Sequence, residues 1–314
     1  MRSLSRYVLA LLLVVAWSPA LAQQRPDPDA DVSVPNPIYA KGAGPVIAID
    51  SGHREFNTIK TGYGPLATLL GNDGYVMVDY ADAITPANLA GLRVLIIAEP
   101  NSPTPPPSKS PIDTLSAFTP AEIQTLHDWV EGGGALMLVA DHPPFIGGVR
   151  DLAQAFGFTY NRYAAYDAAQ TELFTRANGG LIDGPLTQRV VQFRTFFGTA
   201  FTAPPGAQPL LKLDSQWTFD TAKGLPHPVV ATSADWRGAT MLVGKGRLIV
   251  FGEAGDLSAQ ISIKNLPMGF NAPDATGNRQ MVRNMVLWLA TGSAPAPAIA
   301  APLSAGPAAT ATDK

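Results

Sequence analysis

Two of the four histidines, His53 and His142, stand in short polar stretches that begin directly after apolar runs, each with a carboxylate close by in the chain. The run Val46 to Ile49 is followed by Asp50-Ser51-Gly52-His53-Arg54-Glu55-Phe56-Asn57, and Ala135 to Ala140 by Asp141-His142-Pro143-Pro144. The run Val94 to Ala98 is followed by Glu99-Pro100-Asn101, and Leu248 to Phe251 by Gly252-Glu253-Ala254-Gly255-Asp256. Imidazole and carboxylate together supply acid and base groups, or ligands suited to Zn, Mn or Fe, whose bound water is a hydrolytic nucleophile. The expected reactive set is His53, His142, Asp141 and Glu253. Asp50, Ser51, Glu55, Asn57 and Asp256 are expected to line the same pocket, and His53, His142 and Asp141 are the residues that would hold a divalent metal. A plainer use of the same residues has Asp50 and Asp141 capping the helices that follow and the two histidines donating to backbone carbonyls.

Other chemistries have less behind them. Ser51 could serve as a nucleophile beside His53, but a serine elbow reads G-x-S-x-G, and Ile49 occupies the first glycine position. The chain has no cysteine, which removes thiol catalysis. Neither a Walker loop nor G-x-G-x-x-G after a strand is present, so no nucleotide cofactor is expected. Pro100 to Pro111, six prolines in twelve residues, reads as a stiff lid or as a surface loop. Tyr160, Tyr163 and Tyr166 could stack on a sugar ring, although a spacing of three is the commoner mark of core packing on a helix. His127 falls within a helix and His227 between two prolines.

The elements that must position these residues are legible. The four apolar runs are apolar at consecutive positions, as strands buried on both faces of a parallel sheet are. Tyr75 to Tyr80 alternates and suits a strand nearer an edge. A helix is predicted from Thr119, with Pro120 at its first position and Glu122 completing a capping box. It ends at Gly132-Gly133-Gly134, where left-handed backbone is needed. A second helix, from about Asn278 to Leu289, carries the apolar stripe Met281, Val282, Met285, Val286 and Leu289. Residues 187 to 245 read as a few strands extending or flanking the sheet.

The segment "FTPAEIQTLHDWVEGGGALMLVADHPP" resembles the stretch that precedes the nucleophile turn in class I glutamine amidotransferase-like domains, including the trehalose-utilisation-type members. "GKGRLIVFGEAGDLSAQ" and "NRQMVRNMVLWLA" resemble the last strand and closing helix of the exported, uncharacterised branch of that superfamily. The resemblance covers most of Pro45 to Ala290 and implies an α/β fold: a flavodoxin-like three-layer sandwich with a mainly parallel sheet. Classical members place a cysteine in the turn that here reads Asp141-His142-Pro143-Pro144, so thioester hydrolysis of glutamine is not expected.

Residues 1–22 read as a signal peptide: Arg2 and Arg6, an apolar stretch from Tyr7 to Trp17, then Ala20-Leu21-Ala22. The apolar stretch is shorter than the ~20 residues a spanning helix needs. Export to periplasm or medium follows as an expectation, with no transmembrane segment after cleavage. Residues 23–44 are expected to be an unstructured linker, 45–290 the α/β domain and 291–314 a disordered Ala/Pro-rich tail. A net charge of −3 and the lack of a basic run argue against a nucleic-acid partner. The sequence favours a binding or scaffold domain of the cell envelope, with a polar cleft for a carbohydrate or similar small ligand. The alternative is a hydrolase-like enzyme working through a His/Asp/Glu pocket, with or without a divalent metal.

Overall fold

The computed structural model describes residues 24–169, 171–220 and 229–293. The expected signal peptide and most of the expected tail lie outside them, as does His227. At the centre is a nine-stranded sheet. Its strands in chain order are β1 (Val46–Asp50), β2 (Val76–Tyr80), β3 (Val94–Ala98), β4 (Ala135–Val139), β5 (Thr159–Tyr160), β6 (Phe201–Thr202), β7 (Gln208–Lys212), β8 (Trp236–Val243) and β9 (Gly246–Phe251). The spatial order is β2-β1-β3-β4-β9-β8-β6-β5, with β7 also paired to β8. The first five strands of that order run parallel, and the remaining pairings are antiparallel.

Continuous apolar strands need cover on both faces. Helices α1 (Gly64–Asn72) and α5 (Asn278–Thr291) supply one side, where Leu66, Leu70, Met281, Met285 and Leu289 pack with Ile47, Ile49, Ile96, Met137 and Ile249. On the other side lie α2 (Pro86–Leu89), α3 (Pro120–Glu131) and α4 (Phe145–Ala155). There Leu89, Leu126, Val130, Val149 and Leu152 meet Ala48, Leu95, Ile97, Leu136, Leu138 and Val250. Every residue of β3 and β4 is buried, whereas β2 lies at the edge, the position its sequence suits, and keeps four of its five positions half-exposed.

The capping box of α3 forms as read: Thr119 Oγ1 accepts from the Glu122 amide at 3.3 Å, and Glu122 Oε2 accepts from the Thr119 amide at 2.8 Å. Gly133, at φ +126°, then turns the chain into β4, a conformation a side chain would strain. Beyond the parallel half, residues 165–167, 217–219 and 229–230 form a small antiparallel sheet, and 173–175 pairs with 192–194.

The expected linker is corrected by the fold. Arg25–Pro26 forms a short strand antiparallel to Ala259–Ile261, Asp27 N–H donates to the Ala259 carbonyl at 3.1 Å, and the Tyr39 and Tyr75 rings meet edge to face at 5.2 Å. Arg279 and Arg283 hold the Asp31 and Asn36 carbonyls. Residues 24–44 are therefore laid along the domain, because their backbone groups find partners on it even though their composition has no apolar period. At the other end α5 runs to Thr291, and Gly292, at φ +78°, caps it, so the expected start of the tail moves beyond that point. Among the described residues no helix is long and apolar enough to cross a membrane.

Candidate functional site

The loops leaving the carboxyl ends of β1, β3, β4 and β9 carry the acids that the sequence singled out, the end at which open parallel sheets bind ligands. They form two groups. The first follows β1. His53 Nδ1 lies 2.7 Å from Asp50 Oδ2 and 3.8 Å from Glu55 Oε1, while His53 Nε2 lies 3.4 Å from Glu122 Oε1 at the start of α3. The ring also packs on Phe118, with centroids 4.4 Å apart. The other carboxylate oxygens are anchored: Gly52 N–H donates to Asp50 Oδ1 at 3.0 Å, and His53 N–H to Glu55 Oε2 at 2.9 Å. Glu55 Oε1 is buried and has no hydrogen-bond partner. Burial opposes charge on His53, but the bond to Asp50 and the charges of Asp50 and Glu55 outweigh it and lift the imidazole to about 9. Burial, and then the nearby Asp50 charge, push the Glu55 carboxyl up to about 9.

The second group is a sealed nest of four carboxyls: Glu99 after β3, Asp141 after β4, and Glu253 and Asp256 after β9, each at most 6% exposed. Asp141 accepts from the His142 amide at 2.6 Å and the Ala254 amide at 3.3 Å. Glu253 accepts from the Phe196, Gly255 and Asp256 amides. Glu99, in left-handed backbone at φ +56°, takes a bond from Asn57, whose own amide oxygen accepts from Gln260. Neither carboxyl oxygen of Asp256 has a hydrogen-bond partner. Burial raises all four carboxyls. Glu253 rises to about 8, with Asp141 adding to the shift and Arg237 opposing it. Glu99 and Asp256 are pushed well above the carboxylate range by burial first, and next by Asp141 and Glu253 respectively.

The expected single pocket is thus divided. Asp50, His53 and Glu55 come together; Asp141, Glu253 and Asp256 join a different group, with Asn57 beside Glu99. His142 joins neither through its ring, although its amide donates to Asp141. Its Nδ1 lies 2.8 Å from the Pro143 carbonyl, and its ring packs against Phe145 and Phe197. The expected metal set of His53, His142 and Asp141 does not converge; among the described residues the clusters with metal-ligand spacing are Asp50-His53-Glu55 and His127-Asp128-Glu131. Of the plainer alternative, the aspartate caps do not form, since the N-caps of α1 and α4 are Tyr63 and Pro144 with no side-chain bond, but the His142 ring does sit against a backbone carbonyl. Ser51 is turned to Asp79, whose carboxyl is held low first by Lys60 and also by the Ser51 hydroxyl.

Tyr160 is buried in β5, its hydroxyl donating to the Phe251 carbonyl at 2.7 Å, and Tyr166 lies in a strand, so these tyrosines share no helix. His127 stacks on Phe156. The proline-rich stretch is tied at its start to the β1 loop, Asn101 N–H donating to the His53 carbonyl at 3.0 Å, and its later prolines are largely exposed. Two residues that matter here were left out of the expected site set. Glu99 stands one position past β3, the same placement that flagged the other acids; Glu122 was read only as a cap, and nothing local reveals that its second oxygen reaches His53.

An open pocket of about 430 Å3 adjoins the first group, lined by Gln24, Arg54, Glu55, Phe56, Thr61 and Asn101 among others. The backbone of Arg54 is left-handed at φ +57°.

This chain has the fold of a solved structure described as the mmIFT52 N-terminal domain. The two share 19% identity at a TM-score of 0.58, over 78% of this chain and 98% of that one, a likeness of fold alone. It is also similar to a ThuA-like protein from Bacteroides uniformis (14% identity, TM-score 0.45, 82% and 97% covered) and to a cytoplasmic protein from Salmonella typhimurium (15%, 0.39, 66% and 87%). No protein-family model and no curated protein matches the chain.

Proposed function

We propose that this chain is a non-catalytic binding domain of the cell envelope that holds a carbohydrate in the pocket beside β1. The observation that carries the reading is the state of the histidines: among the described residues, no imidazole bonds to a hydroxyl group. His53 is held by Asp50 and Glu122, His127 lies 3.9 Å from Asp128, and His142 is tied to a backbone carbonyl. A hydrolytic serine needs a base within hydrogen-bond reach. The pocket is lined by polar residues a polyol could use, Gln24, Arg54, Thr61 and Asn101, together with the aromatic Phe56. Sugar hydroxyls both donate and accept, and these groups supply both partners.

Three finer statements belong to the same reading. The order β2-β1-β3-β4-β9 follows the flavodoxin-like pattern and supports an amidotransferase-like ancestry, with Asp141-His142 in the turn where relatives of that type carry the cysteine. Export, to periplasm or medium, is proposed from residues 1–22. The divided acids, four of them sealed from solvent, support scaffolding of the rim rather than chemistry at it.

Glycan-array screening followed by calorimetry on the full chain tests this. Binding without turnover is expected, weakened tenfold or more by Arg54→Ala at an unchanged melting temperature. Turnover of the bound glycan by the wild type would move the assignment to a hydrolase, and a chain that binds no glycan would overturn it.

A further inference from the structure

We propose that Asp50, His53 and Glu55 form a three-ligand site for a divalent transition-metal ion, with Glu122 as the outer partner of the histidine. The site differs from the set His53, His142 and Asp141 in two of its three ligands, and it stands whether or not the neighbouring pocket takes a sugar.

Four observations converge on it. One ligand atom from each residue lies within 4.8 Å of the other two. Bonds of about 2.0–2.2 Å to a tetrahedral ion place its ligands roughly 3.3 Å apart. The separations of His53 Nδ1 from Asp50 Oδ2 and Glu55 Oε1, 2.7 and 3.8 Å, lie on either side of that value. Second, each residue has its outward atom fastened: Asp50 Oδ1 by the Gly52 amide, Glu55 Oε2 by the His53 amide, His53 Nε2 by Glu122. This leaves Asp50 Oδ2, Glu55 Oε1 and His53 Nδ1 as the inward-facing set. Third, Glu55 Oε1 is buried without a partner, which an oxygen in a well-packed protein rarely is. Fourth, a carboxylate on the far nitrogen of a histidine is the arrangement that orients metal-bound imidazoles and fixes their tautomer.

Imidazole with two carboxylates suits Zn2+ and Mn2+. The His53 side chain is 10% exposed and Glu55 lines the open pocket, so an ion has a route in. The other cluster, His127-Asp128-Glu131, is on the surface of α3 with the Asp128 side chain 63% exposed, and it serves as a control.

The test is calorimetric titration of the full chain, stripped by chelator, with Zn2+ and with Mn2+. One equivalent is expected to bind, with a rise in melting temperature. Glu55→Gln and His53→Gln should each weaken binding tenfold or more, Glu122→Gln by about 10- to 100-fold, and His127→Ala not at all. Stripped wild type that takes up neither ion overturns the proposal, as does binding that survives Glu55→Gln and is lost in His127→Ala. Should the variants fail to fold, Co2+ loaded on the wild type decides: paramagnetic shifts on the His53 ring support the site, and shifts on the His127 ring overturn it.

Discussion

His53 and Glu122 are 69 residues apart in sequence, yet Nε2 of one lies 3.4 Å from Oε1 of the other, and this contact joins the loop after β1 to the first turn of α3. With Asp50 on its other nitrogen, the ring is a bridge between two elements on one side of the rim.

Removing that bridge should be felt in stability. His53→Ala leaves the Asp50 and Glu55 carboxyls facing each other without the ring between them, and is expected to cost about 2–4 kcal/mol. His142→Ala loses only a contact to its neighbour's carbonyl and some packing, about 1 kcal/mol or less. Urea denaturation of both variants checks this; equal losses would contradict the division of the rim into separate groups.

The sealed carboxyls predict a pH dependence of definite sign. Glu253 is raised to about 8 and His53 to about 9, and Glu99, Asp141 and Asp256 are all raised. Each group binds its proton more tightly folded than unfolded. Its contribution is complete below the unfolded value, ordinary carboxylate range for the acids and 6.5 for the histidine, and is lost as pH climbs through the folded value. Unfolding free energy should therefore fall between about pH 5 and 9, by roughly 1.4 kcal/mol per pH unit for each proton so held. Denaturation midpoints at pH 5, 7 and 9 measure it, and a stability that grows across this range would refute the account.

Asp256→Asn isolates one member of the nest. Neither Asp256 oxygen has a hydrogen-bond partner, and the residue sits beside Glu253 in full burial. An amide needs no proton to stay neutral and can donate to Glu253. The variant should be more stable than wild type at pH 9, with a shallower pH slope and a smaller difference at pH 5. A slope identical to wild type would show that Asp256 takes no part.

Arg237 is buried completely, and its charge opposes the upward shift of Asp141, Glu253 and Asp256. Its guanidinium reaches Glu172 at 3.1 Å, the Thr195 hydroxyl at 2.8 Å and the Ala165 carbonyl at 2.7 Å, and lies over the Trp217 ring at 4.4 Å. Arg237→Met strands Glu172 and several backbone acceptors, and should cost about 3–5 kcal/mol. Thermal and urea unfolding of the variant provide the check; a loss under 1 kcal/mol would mean that the guanidinium is dispensable.

What the residues alone determined is the framework. Consecutive apolar runs can be satisfied only between two helical layers, so Val94 to Ala98 and Ala135 to Val139 announced buried parallel strands, and Thr119-Pro120 with Glu122 announced where α3 begins. The same pattern placed Asp50, Asp141 and Glu253 at or just past strand ends, at the ligand-binding end of the sheet.

Tertiary structure alone decided who meets whom. Strand order puts β3 and β4 between β1 and β9, and Glu99 after β3 completes a nest with Asp141 and Glu253 while His53 turns toward α3. Residues 24–44 show the same limit: with no apolar period to mark them, they are ordered by backbone bonds to Ala259–Ile261 and by side chains of α5. Periodicity along a chain reports which face of an element is buried. It carries no record of which distant side chain arrives there, since that depends on how separate elements pack.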